Sequence, residues 1–132
     1  MANAATRGVG AKRYTDLIVW QIARELADRI TRLTLGAGFQ REFDIVRQLR
    51  RSANSVCANI AEGFGRFSPA DFARFLRMAR GSAMELQEHL HELEVRQLIS
   101  DADARELGIL CRRVLGAITP LIRYLDKAKA PP

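Results

Sequence analysis

The sequence is short of most things that specialised chemistry needs. Its two cysteines, Cys57 and Cys111, lie far apart and outside any C-x-x-C pattern. That excludes a disulfide scaffold and a cysteine zinc site, and it fits a reducing cytoplasm with two buried free thiols. Aromatic residues make up only 7% of the chain, too few for an aromatic-rich stacking platform beside its basic residues. No recognition-helix signature occurs either, so base-specific reading is not expected. The strongly apolar run nearest the start, Leu17 to Trp20, falls far below the roughly 20 residues a bilayer requires, which excludes a membrane span there. The opening residues MANAATRGVGAKRY lack an apolar h-region and read as a basic tail rather than a signal peptide. No segment alternates with the period of a strand.

Lysine is scarce as well. Only Lys12, Lys127 and Lys129 occur, so 18 of the 21 basic residues are arginine, against 15 acids and a net charge of +6. This surplus favours polyanionic partners such as nucleic acid, acidic protein or anionic lipid. The 132 residues suit one domain, and hydrophobic residues at 48% give it a core to bury.

What is abundant is helical periodicity. From Thr15 to Leu35, Val19, Ile22, Ala23, Leu26, Ile30 and Leu33 recur every three or four positions. Thr15 or Asp16 is placed to cap this helix and Gly36 to end it. A second helix is expected from about Arg41 to Glu62 on Ile45, Val46, Leu49, Ala53, Val56, Cys57 and Ile60, with Gly63 as its stop. Ser68-Pro69-Ala70-Asp71 predicts a third helix start, serine capping and proline sitting where no N–H is needed. That helix should run to about Ile99, and Ser100-Asp101-Ala102-Asp103 should open a fourth. Pro120 lies inside the fourth, but the carbonyl it crowds belongs to Gly116, so a kink rather than a break is expected. Long helices joined by short loops predict an all-α, antiparallel up-down four-helix bundle over residues 14–128, with tails at 1–13 and 129–132.

Enzyme signatures fail. His89 and His91 are about 200° apart around a helix and cannot share one metal. Gly63-Phe64-Gly65-Arg66 lacks the features of a phosphate-binding loop, and Ser68 sits in no nucleophile elbow. Glu85, Glu88, Glu92 and Glu94 lack the paired inward Glu-x-x-His motifs of a di-metal bundle. The expectation is a protein that is not an enzyme and takes no metal or cofactor.

Two patterns remain. Gln48, Arg51, Ser52, Ser55, Asn59 and Glu62 form a polar stripe on the second helix, separate from its apolar side and within roughly a third of the circumference. Serine and asparagine are mediocre helix formers, so their use there points to a hydrogen-bonded contact inside the bundle or between subunits, or to a ligand groove. Arginines also align. Arg74, Arg77 and Arg80 step along the third helix, and Arg105, Arg112 and Arg123 share one outward line of the fourth. With Arg47, Arg50 and Arg66 they are the candidate phosphate-binding residues, and a solvated helix face looks the same. Arg51 belongs to the polar stripe instead.

These segments resemble a bacterial family, the four-helix-bundle proteins encoded in intervening sequences of 23S ribosomal RNA genes. The resemblance rests on Asp16-Leu17 with Val19-Trp20-Gln21, on Gln48-Leu49-Arg50-Arg51 followed by Asn59-Ile60-Ala61-Glu62-Gly63, and on Phe75-Leu76 with Ala79-Arg80-Gly81-Ser82. Phe39-Gln40 departs from the Phe-Pro that the family often has, and Pro120 departs late in the last helix. The resemblance implies a cytoplasmic, non-enzymatic bundle assembling into a homopentamer. The chain is also similar to the accessory protein of diversity-generating retroelements, which implies a basic surface engaging RNA and a reverse transcriptase. The competing expectation is a protein–protein interaction scaffold without nucleic-acid binding.

Overall fold

Each apolar repeat winds into one helix in the computed structural model, which describes residues 10–128. The helices are α1 (Ile18–Thr34), α2 (Phe43–Phe64), α3 (Pro69–Val95) and α4 (Asp101–Ala128), with no strand among the described residues. Single 3-10 turns at Tyr14–Asp16 and Ala37–Phe39 precede α1 and α2. Residues 1–9 of the expected N-terminal tail, and all of the C-terminal one, lie outside the described part. Ala11 packs against the core.

The helix starts follow their caps in two cases of three. Ser68 Oγ accepts the Asp71 N–H at 3.3 Å with Pro69 in the first turn of α3, and Ser100 Oγ accepts the Asp103 N–H at 3.1 Å ahead of α4. Before α1 the outcome differs. Asp16 accepts the Arg13 N–H at 3.1 Å and so closes the 3-10 turn, and α1 begins only after Leu17, a buried side chain in extended backbone.

Two ends also differ from expectation. Gly63 does not stop α2, which runs on through Phe64. A Cβ at position 63 would lie 2.7 Å from Phe75 Cβ and 2.9 Å from Phe72 Cδ1, so this glycine is where α3 comes close to α2. α3 ends at Val95 rather than about Ile99. There Gln97 takes φ 58°, the Leu98 N–H returns to the Leu93 carbonyl at 2.9 Å, and the Gln97 N–H returns to Glu94 at 3.0 Å. These two bonds are a Schellman closure, normally built on glycine. α4 runs unbroken through Pro120.

α2 packs on α1 and α3, and α4 packs on α3 and α1, closing a ring of four helices into a bundle. Its centre holds Ile30, Leu49, Ile60, Leu76, Leu86, Leu93 and Ile118, all fully buried. Each such side chain contributes about 1.5–3 kcal/mol of hydrophobic stabilisation. Phe39, dropped inward by the α1–α2 turn, closes one end.

Candidate nucleic-acid interface

The polar stripe of α2 lies beside α3. Arg51 Nη2 donates to Gln48 Oε1 at 2.9 Å and to Glu85 Oε2 of α3 at 2.5 Å. That hydrogen bond from Arg51, more than any other influence, holds the Glu85 carboxyl below the usual range. Ser55 and Ser82 share a hydroxyl hydrogen bond of 2.8 Å across the two helices. Asn59 Nδ2 donates to the Ser55 carbonyl at 2.9 Å and to its Oγ at 3.1 Å. Ser52 is fully buried and returns its hydroxyl to the Gln48 carbonyl at 2.9 Å. Glu62 accepts from Arg66 at 2.7 Å on the surface. Arg51 and Ser55 therefore reach α3, whereas Ser52, Asn59 and Glu62 make short-range bonds. Ser55 and Asn59, two of the helix-competing residues that stood out in the sequence, bond each other along this contact and Ser55 also bonds Ser82, while Ser52 bonds back to its own helix.

The arginines separate into those tied down and those that are not. Arg50 Nε donates to Thr34 Oγ1 of α1 at 2.9 Å. Arg77 pairs with Asp126 of α4. Arg66 and Arg74 both lie over the Phe75 ring, at 5.1 and 4.5 Å from its centroid, and Arg74 Nε is 3.8 Å from Asp71. Arg47, Arg80, Arg105, Arg112 and Arg123 make no ion pair among the described residues, and of these only Arg80 is half-buried. At about 100° per residue Arg105, Arg112 and Arg123 stay within roughly 20° of one line, and at about 1.5 Å per residue they span about 27 Å of α4. Arg113, exposed and likewise unpaired, stands beside this row. Guanidiniums held off any carboxylate keep all their donors for phosphate oxygens.

Aromatic rings gather beside basic residues, where the low aromatic content predicted no such grouping. At the end of the bundle where α2 passes into α3, Phe64 and Phe72 meet edge to face at 6.1 Å, Phe75 lies under two guanidiniums, and Phe67 is completely exposed. All four lie within twelve residues of Arg66 and Arg74. The signal was four phenylalanines between positions 64 and 75, in two pairs spaced by three on either side of the Ser68-Pro69 helix start, which reads equally well as core pattern.

Elsewhere the surface carries little chemistry. His89 Nε2 lies 3.5 Å from Glu85 Oε2, and His91 is exposed. No group of three or more metal-ligating side chains occurs among the described residues. Nor is any described helix long and apolar enough to cross a membrane. Cys57 and Cys111 are buried and unpaired.

A family model described as 23S rRNA-intervening sequence protein matches residues 15–119, which takes in α1 to α3 and most of α4. No curated protein matches the chain.

Proposed function

Because the chain belongs to the 23S rRNA-intervening sequence protein family, we propose that it is a non-enzymatic basic bundle binding structured RNA, or an RNA–protein complex, through phosphate contacts. The observation that carries this reading is the row of Arg105, Arg112 and Arg123, exposed and without carboxylate partners among the described residues. Charge placed this way positions a nucleic acid without reading its bases. Within the bundle we take the helices as antiparallel and up-down. Across α2 and α3 the partners are Glu42 with Arg96, Arg51 with Glu85, and Ser55 with Ser82, numbers rising on one side as they fall on the other. The assembly we propose is a homopentamer working in the cytoplasm, where buried free thiols such as Cys57 and Cys111 persist. A reverse transcriptase is one protein this surface would serve as an accessory.

The test is a mobility-shift titration with a folded RNA over a salt series. Binding that weakens steeply and linearly in log–log form supports the proposal, and no binding at low salt overturns it.

A second reading, an interaction scaffold, is favoured by a different observation. Met78 and Met84 are exposed on α3 on either side of Gly81, beside which a Cβ would meet nothing within 4 Å. If that face meets protein, Met78→Lys with Met84→Lys dissolves the assembly in light scattering. Under the RNA-binding proposal Arg105→Ala with Arg112→Ala weakens RNA binding and leaves assembly intact.

A further inference from the structure

The end of the bundle that gathers the phenylalanines also holds a cleft of about 400 Å³, within the size range of small-ligand sites. Phe64 and Phe72 from the α2–α3 side and Leu121 and Leu125 from α4 make its apolar floor. Lys12 and Arg66 stand at its rim, and among the described residues no acidic side chain lines it. Over the same cleft Phe67 has a relative exposure of 105%, so its ring makes no packing contribution to the fold. Arg66 is bonded to Glu62 and lies over the Phe75 ring, but Arg66 and Glu62 are about half exposed, and such surface contacts are weak enough for the guanidinium to turn elsewhere.

An occupant must therefore be flat or apolar on one side and anionic on the other. We propose that this cleft receives one unstacked base of a single-stranded nucleic acid, with Phe67 stacking on the base while Lys12 and Arg66 hold the adjoining phosphates. The proposal rests on the nucleic-acid-binding reading above and adds a second mode to it. The arginine row of α4 contacts backbone of any shape, whereas the cleft selects a base free of its helix, since every base offers a π-face and a paired one hides it.

The experiment titrates the full chain with a single-stranded RNA carrying one 2-aminopurine and, separately, with a blunt duplex RNA of equal length. Phe67→Ala should weaken single-strand binding about tenfold, the usual worth of one stacked base, and leave duplex binding unchanged. It should also abolish the change in 2-aminopurine fluorescence, and Phe67→Trp should restore both. Lys12→Ala should weaken single-strand binding more than duplex binding. Because Phe67 is outside the core, these variants keep the wild-type melting curve. Unchanged single-strand affinity in Phe67→Ala, with the arginine-row variants still impaired, overturns the cleft proposal alone. A wild-type chain that binds neither RNA at low salt overturns both readings.

Discussion

One missing methyl group decides how near α3 comes to α2. At Gly63 an added Cβ would meet the Phe75 Cβ at 2.7 Å, and the backbone oxygen of Phe72 is only 3.3 Å away, so no flexible side-chain tip can yield. Gly63→Ala should cost about 1–3 kcal/mol through overpacking, read as a lowered denaturation midpoint with an unchanged slope. In the middle of a solvated helix the same substitution would be stabilising. The cysteines make a second prediction at this scale. Burial pushes the Cys57 thiol up to about 11 and that of Cys111 up to about 12, from an ordinary 9.0. The native state then keeps protons that the unfolded chain gives up, so this contribution is complete below pH 9 and is lost as pH climbs from 9 towards 11 and 12. Melting temperatures should fall over that interval, and the fall should be shallower when both cysteines are alanine. Thiol reagents at neutral pH should label neither residue in the folded chain.

At the scale of elements, local chemistry explains most boundaries. Ser68 with Pro69, and Ser100, start helices where the sequence places them, because a cap needs only the next three residues. The end of α3 was hidden for the opposite reason. Gln97 adopts a left-handed conformation that glutamine dislikes, held there because Leu98 packs on the core and its N–H returns to Leu93. Gln97→Gly should therefore stabilise the protein by about 0.5–1 kcal/mol, a gain measurable by thermal melting. A lower midpoint would mean that the glutamine side chain contributes more than its backbone costs. α1 likewise starts late, since Asp16 caps the preceding turn and Leu17 is carried into the core.

For the whole molecule the charge surplus matters through its distribution. A net +6 describes the chain, but ion pairs reaching across helices divide the arginines. Arg77 goes to Asp126 and Arg51 to Glu85, while Arg105, Arg112 and Arg123 stay unpaired among the described residues. Replacing those three by alanine should lower the slope of log affinity against log salt by about 2–3, close to one unit for each phosphate that is no longer neutralised. Arg77→Ala should change that slope little. Mobility shifts over a salt series measure both, and equal effects would remove the distinction between tied and untied arginines.

The sequence alone determined that this is an all-α chain with four long helices, which apolar stripe each turns inward, where two of them are capped, and which family it belongs to. These follow from a period of 3.6 residues and from caps a few residues long, and both are written locally. It also singled out the polar stripe of α2, because serine and asparagine are costly in a helix without partners. Tertiary structure alone decided who those partners are. Glu85 and Ser82 lie 34 and 27 residues from Arg51 and Ser55. The close approach at Gly63, the Gln97 closure, the split among the arginines and the cleft beneath Phe67 were settled the same way. Each depends on which helix faces meet and at what height, and that is fixed by the packing of the whole core rather than by any stretch of the chain.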